Sequence, residues 1–376
     1  MKPRIVLSGV NLVEGGPLSV FQDALRELSV SFSDRYTITA LVHRRELFDI
    51  PDVEYLEFPA VKNSWLRRLR FEYRHCKKLS ERLQPFLWLS MHDITPRVVA
   101  ARQAVYCHNP APFYRLPFRE AMLDKTFAMF HVLYRFLYRV NIGRNDFVVV
   151  QQEWLRQEFR RRYKVRNVVV AHPTVRSTRL PQAKSVDSKI LFYPAFPRCF
   201  KNLESLLRAV DLLEHENVPA FEVWITISGQ ENAYAAMLKK EFGHLKTVRW
   251  LGLQTRARVE ELYAAAGCLV FISKLESWGM PISEWKITGK PMIVADLPYA
   301  HETVGDYELV RFVDTSEVTE ISQAIRELLQ SESFGSPARA ATIPAPFAAD
   351  WNALFRILLN KALPAKAGQA ERKGSL

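Results

Sequence analysis

The chain of 376 residues is 48% hydrophobic and 24% charged, which excludes a disordered or fibrous protein and suits a folded chain of about two domains. Its net charge of +12 is uneven: residues 1–180 hold 30 Lys+Arg against 17 Asp+Glu, whereas residues 181–376 hold 22 against 23. No apolar run approaches bilayer-spanning length, and the opening MKPRIVLSGVNL enters a strand without a signal-peptide apolar region, so a soluble or peripheral protein is expected.

The four cysteines, Cys76, Cys107, Cys199 and Cys268, have neither close pairing nor metal-ligand spacing, as in a reducing cytoplasm. The basic first half calls for an anionic partner, a membrane surface or nucleic acid, unless it is a solvated face.

In chain order, a strand is predicted over 4–10, followed by a glycine-bearing loop at 11–17, NLVEGGP. A helix over 18–28 then places Leu18, Phe21, Leu25 and Leu28 on one face. Gly15 and Gly16 would let backbone approach a ligand at the sheet edge, although G-x-G-x-x-G is absent. Strands at 36–42, 54–58, 86–90, 104–108, 147–151 and 167–172 alternate with helical stretches, which predicts a parallel sheet with crossovers. His92 and His108 mark strand ends, followed by Asp93 and Asn109, and either serve the structure or line a cleft. Residues 62–83 and 112–144 mix aromatic and basic side chains. Such helices either lie in a membrane interface or pack an apolar face on the core.

The polar, proline-bearing stretch 173–187 reads as a linker. A second α/β series starts at 189, with strands over 221–227, 248–251, 269–272 and 292–295 and helices over 203–210 and 256–266. Arg198 and Lys201 sit in its first strand-to-helix loop, where two cations suit a diphosphate. The segment CLVFISKLESWGMPISEWKITGKPMIVAD (268–296) reads strand, loop, helix, strand. Pro281 suits the first helical position and Gly289 stops the helix. Glu276 lies in the loop and Glu284 in the first helical turn, at the sheet edge where open α/β proteins bind ligands. Two carboxylates beside a helix start propose a ligand with both hydroxyls and phosphates. A strand after 308, a helix near 316–329 and a last helix over 347–363 precede a polar, flexible end.

The span ESWGMPISE (276–284) resembles the E-x-F/W-G-x-x-x-x-E signature of retaining glycosyltransferase family 4. The GGP loop, YCHNPAPF, FPRCFKN and AAAGCLVFIS are similar to that family as well. The resemblance implies an α/β GT-B fold, two Rossmann-like domains with parallel sheets facing each other across an interdomain cleft. The domains are expected at 1–175 (acceptor binding) and 189–345 (nucleotide-sugar binding), joined by a linker at 176–188. A C-terminal helix at 346–364 would pack back toward the first domain, and 365–376 would be a flexible tail.

It also implies transfer of a hexose or deoxyhexose with retention from a GDP- or UDP-linked sugar to a glycan or lipid-linked acceptor, as in surface polysaccharide or O-antigen synthesis. Neither a cofactor nor a metal is expected, and the membrane is expected at its inner face. By this resemblance Arg198 and Lys201 hold the diphosphate, Glu284 the ribose and Glu276 the sugar hydroxyls. The backbone at Gly279, Met280 and Pro281 faces the sugar nucleotide, Gly15 and Gly16 approach its phosphates, and His108 contacts the sugar near the reacting carbon. His92 and Asn109 are acceptor-side candidates. The chain departs from the family at Phe196, where the arginine is usually found; Arg198 comes two residues later. A sugar-nucleotide epimerase of the same fold and a basic nucleic-acid-binding protein are the competing readings, the latter without a helix-turn-helix, zinc or RNP-type motif.

Overall fold

Runs of buried, mostly apolar residues at regular spacing become strands in the computed structural model, which describes residues 2–174, 187–216, 218–330, 334, 335, 338 and 340–360. The strands are β1 (Arg4–Ser8), β2 (Thr37–Val42), β3 (Val53–Glu57), β4 (Leu87–Ser90), β5 (Arg102–Cys107), β6 (Phe147–Val150), β7 (Val168–Ala171), β8 (Asp187–Tyr193), β9 (Glu222–Ile225), β10 (Val248–Trp250), β11 (Ala266–Phe271), β12 (Met292–Ala295), β13 (Val310–Val313) and β14 (Phe347–Ala348). They form two wholly parallel sheets, in the orders β14-β7-β6-β5-β4-β1-β2-β3 and β10-β9-β8-β11-β12-β13. Chain order reverses at β1/β4 in one sheet and at β8/β11 in the other, and each reversal opens a crevice at the carboxyl edge.

The fold divides into two units. Unit 1 comprises residues 1–109, 133–174 and 343–376, and unit 2 comprises 110–132 and 175–342. The expected linker at 176–188 lies, up to 186, outside the described residues, as do the tail at 365–376 and everything beyond 360.

Several elements differ from their predicted form. The first helix begins earlier, at Gly15, and runs to Phe32, so the expected glycine loop is partly its first turn. Gly15 makes that start possible with a φ of +69°, a conformation open to glycine. The expected last helix is instead a short strand, β14, and a helix Trp351–Leu359 capped by the Asp350 carboxylate on the Ala353 N–H at 2.7 Å. Helices Ala233–Phe242 and Pro298–Val304 were not anticipated. The first basic stretch becomes the helix Trp65–Arg70, a π-helical turn Phe71–His75 and the helix Cys76–Leu83. The second contains the helix Lys125–Leu137. In unit 1, Trp65 meets Tyr134 edge to face at 6.2 Å, which brings the exposed Leu66, Arg67, Arg70, Arg135, Phe136, Arg139 and Val140 onto neighbouring helical segments. No helix among the described residues is long and apolar enough to cross a membrane.

The return of the chain to unit 1 is held by buried contacts. Arg156, fully enclosed, donates to the carbonyls of Pro344 (2.8 Å) and Pro346 (2.9 Å). Trp351 packs on Tyr106 with ring centroids 5.5 Å apart, Phe355 meets Phe32 at 5.9 Å, and the Arg102 guanidinium donates to the Leu358 carbonyl at 3.2 Å. Trp351→Ala should therefore destabilise unit 1 by about 3–5 kcal/mol, read as a lower urea midpoint.

Candidate functional site

In unit 2 the loops that follow β8 and β11 leave the sheet side by side because those strands are neighbours. The first contains the short 3-10 turn Cys199–Lys201, closed by Asn202 at φ +58°. The Lys274 N–H donates to the Phe200 carbonyl at 2.7 Å and stitches the two loops together. The Tyr193 hydroxyl donates to the Lys201 carbonyl. So fixed, the Lys201 ammonium pairs with the Glu276 carboxylate. The cation expected on a phosphate and the carboxylate expected on a sugar thus form one site, although 75 residues separate them.

Glu284 lies beside this pair in sequence, on the helix Met280–Lys286. The helix starts at Met280, so Pro281 is its second residue and Glu284 falls in the second turn rather than the first. Its carboxylate is nearly enclosed, at 9% exposure, and accepts from Arg256 at 2.5 Å and from the Tyr263 hydroxyl at 3.0 Å. Burial, and then the Glu284 charge, push the Tyr263 hydroxyl well above its ordinary value, so it stays a donor. Gly279, at φ +87°, turns the chain into the helix; a Cβ there would sit 3.4 Å from both Ile282 and the Tyr299 ring. The Trp278 indole donates to Ser283 at 2.8 Å and the Tyr299 hydroxyl to the Ser273 carbonyl at 2.8 Å, which holds the loop rigid.

Arg198 is differently placed from the expectation of a free phosphate ligand. It pairs with Asp124 at 2.8 Å and lies 5.2 Å from the Phe196 ring. Asp124 also caps its own helix through the Phe127 N–H at 3.0 Å. Residues 110–132 join unit 2 through this pair, through Glu120 with Lys274 at 3.5 Å, and through Phe127 on Phe200 at 4.8 Å.

In unit 1 the β1/β4 reversal places Ser8 beside His92. His92 is enclosed (1% exposed), with Nε2 3.1 Å from Ser8 Oγ and 3.4 Å from Glu72, and Arg68 donates to its carbonyl at 2.8 Å. Burial, then the Arg68 charge, lower its pKa to about 3, while burial raises that of Glu72 to about 8 against the pull of Arg68. Both are neutral near pH 7, so their contact is no ion pair. His92 supports the turn and is not an acceptor-side contact, because no face of the ring reaches the surface. His108 is only partly covered, and its Nε2 lies 3.3 Å from Asp93. Asp93 also accepts the backbone N–H groups of His108 (2.7 Å) and Asn109 (3.0 Å). A Cβ on Gly16 would meet nothing within 4 Å.

Residues 178–344 match the family described as Glycosyl transferases group 1. Unit 2 thus holds almost all of the stretch that is similar to that family. The chain is 31% identical over 141 residues to the O-antigen chain mannosyltransferase B of Escherichia coli, an alignment that covers 37% of this chain and 36% of that protein. It thus spans about a third of the curated relative's length. Among solved structures it is similar to sucrose-phosphate synthase from Thermosynechococcus elongatus (TM-score 0.60, 14% identity, 87% of this chain and 90% of that one). It is also similar to the lipopolysaccharide outer core galactosyltransferase WaaB (0.59, 14%, 88% and 90%) and to Anabaena HepE in complex with UDP and glucose (0.58, 13%, 88% and 90%). At these identities the likeness concerns the fold, which is GT-B.

In unit 2, nothing local in the sequence marks Arg256, Tyr263, Asp124 or Glu120 as partners of the site residues. Arg256 and Tyr263 lie on a helix whose carboxylate partner is 28 and 21 residues away. The only trace of Glu120 and Asp124 was a pair of acids inside a basic stretch. In unit 1, Asp93 was noticed beside His92 but not as the partner of His108.

The buried Glu72 acid has a pH consequence. Because its pKa rises from 4.5 unfolded to about 8 folded, its stabilisation is complete below about 4.5 and is lost as pH rises toward 8. Glu72→Gln should flatten that decline in urea midpoints measured from pH 4.5 to 9 and leave acid-side stability unchanged.

Proposed function

We propose that the chain is a retaining glycosyltransferase that moves a hexose or deoxyhexose from a GDP- or UDP-linked sugar to a glycan or lipid-linked acceptor, in surface polysaccharide or O-antigen synthesis. The observation that carries this reading is the Lys201–Glu276 pair stitched to the Glu284 helix at a topological switch point, within the stretch that is similar to group 1 glycosyl transferases. Loss of a nucleoside diphosphate concentrates negative charge on the β-phosphate, and Lys201 is the cation best fixed to meet it. Glu276, once the phosphate takes over Lys201, is released to accept hydrogen bonds from sugar hydroxyls. Glu284, oriented by Arg256 and Tyr263, presents its side-chain oxygens as acceptors to a ribose diol. Arg198 can join the phosphates only by leaving Asp124, and so acts in support of Lys201. The backbone at Gly279, Met280 and Pro281 is given to the sugar nucleotide, Gly15 and Gly16 to its phosphates, His108 to the transferred sugar and Asn109 to the acceptor. The acceptor proton passes to the departing phosphate in a front-face reaction, a route that needs neither a protein base nor a metal.

The acceptor side of the reading rests on the two amphipathic segments of unit 1. Leu66, Phe136 and Val140 are 79%, 61% and 41% exposed, among Arg67, Arg70, Arg135 and Arg139. An anionic bilayer surface, here the inner face of the plasma membrane, satisfies both the apolar and the cationic groups. The E. coli relative, by its name, acts on an O-antigen chain, which supports a polysaccharide acceptor.

A thermal-shift screen of UDP, GDP, ADP and dTDP sugars should raise the melting temperature with a UDP- or GDP-sugar, and Glu284→Ala should abolish the shift. A full shift in that variant misplaces the ribose site. In transfer assays with the sugar so identified, Lys201→Ala should lower kcat about 100-fold. Binding to anionic liposomes should fall when Arg135 and Arg139 are both replaced by Glu; absence of binding even at low salt removes the membrane from this reading.

A further inference from the structure

Asp93 has a φ of +71°, a left-handed conformation unusual for a residue with a side chain. The strained turn is bolted on both sides: Arg68 grips the His92 carbonyl at 2.8 Å, and the Asp93 N–H donates to the Tyr106 carbonyl at 3.2 Å. The turn aims one buried carboxylate at four donors of the same unit. Oδ1 accepts the N–H of His108, the N–H of Asn109 and the Tyr138 hydroxyl (2.8 Å), and Oδ2 lies 3.3 Å from Nε2 of His108. Burial alone would raise the Asp93 carboxyl, but His108, Tyr138 and the Asn109 amide outweigh it and hold its pKa at about 2. Asp93 is therefore ionised at every working pH and can only accept.

We propose that Asp93 is a positioning residue that keeps His108 in a single tautomer, with Nε2 protonated toward the carboxylate and Nδ1 left as a hydrogen-bond acceptor. The chemistry follows from the donor inventory. An ionised carboxylate beside Nε2 requires a hydrogen on that nitrogen, so the neutral ring has its lone pair on Nδ1. Nδ1 has no protein hydrogen-bond partner among the described residues. A ring so fixed accepts from a sugar hydroxyl and offers nothing to a carbonyl or phosphate oxygen. This deepens the proposed function, since it rests on His108 meeting the transferred sugar, and it names the group recognised: a hydroxyl that donates. Tyr138, one residue beyond the helix Lys125–Leu137, ties the carboxylate's orientation to that helix.

The decisive measurement is nitrogen-15 NMR of histidine-labelled full-length protein. In the wild type, at the alkaline end of a pH series where the ring is neutral, His108 should show a protonated Nε2 and an unprotonated Nδ1. Asp93→Asn retains the acceptor for the backbone N–H groups but presents an amide to the ring; it should populate the opposite tautomer and lower kcat by about 100-fold or more, with KM for the sugar nucleotide unchanged. Asp93→Glu should restore part of both. Should Asp93→Asn not fold, Tyr138→Phe is the second variant, expected to loosen the carboxylate and broaden the tautomer signal while the wild-type spectrum stands as the test. A neutral wild-type His108 ring protonated on Nδ1, or an Asp93→Asn enzyme of full kcat while His108→Ala is inactive, overturns the proposal. A fully active His108→Ala enzyme instead refutes the role given to His108 in the proposed function, and the tautomer spectrum then decides separately whether Asp93 holds the ring.

Discussion

One backbone hydrogen bond, from the Lys274 N–H to the Phe200 carbonyl, joins the loops on which the candidate site of unit 2 depends. It exists because β8 and β11 are adjacent while the chain runs away from them in opposite directions. The Phe200 carbonyl takes a second hydrogen bond from the Ser273 hydroxyl at 3.3 Å, so the two loops are tied at one point by two donors. Lys201 and Glu276 therefore meet at a fixed place, and Gly279 then carries the chain into the helix that holds Glu284. A substitution that moves Gly279 would disturb the helix that holds Glu284, and one at Phe200 would disturb Lys201, whose ammonium lies 5.5 Å from the Phe200 ring.

A second regularity runs through unit 2: the charged groups singled out there for ligand chemistry already have opposite partners. Lys201 has Glu276, Arg198 has Asp124, and Glu284 has Arg256. Half-buried ions left alone would cost several kcal/mol each, so the protein without ligand keeps them neutralised in pairs. In the proposed reading a phosphate replaces Glu276 at Lys201, while Glu284 keeps Arg256 and Tyr263 and offers its remaining acceptor capacity to a diol. Discrimination follows from the same fact, because a ligand that displaces a partner without satisfying the group left behind is penalised. The histidines divide on this criterion. His92 is neutral and enclosed, and supports a turn; His108 faces an ionised carboxylate through one nitrogen, and its other nitrogen has no protein partner among the described residues.

Much of this was legible in the chain itself. Buried parallel strands are continuous apolar runs, so β1, β8, β11 and β12 could be read within a few residues, as could the helix that Gly289 ends. The spacing of Glu276 and Glu284 around a strand–loop–helix was local information and survived, with a shift of one turn for Glu284. The tail was misread because Phe347 and Ala348 alternate too briefly to announce a strand; they became β14 only by pairing with Val170 and Ala171. The start of the first helix was missed because a glycine at positive φ looks like a loop until its conformation is known.

By itself the sequence determined the two α/β series, the parallel sheets, the basic character of the first half and the residue types of the candidate site, because periodicity, breakers and short-range spacing are properties of neighbouring residues. The tertiary structure alone decided which groups meet: Asp124 with Arg198, Arg256 and Tyr263 with Glu284, Asp93 with His108, and Glu72 with His92. These pairs join residues between 15 and 74 positions apart. Their meeting depends on strand order and on where loops leave a sheet edge, and neither is written in the hydrophobic pattern of any one segment.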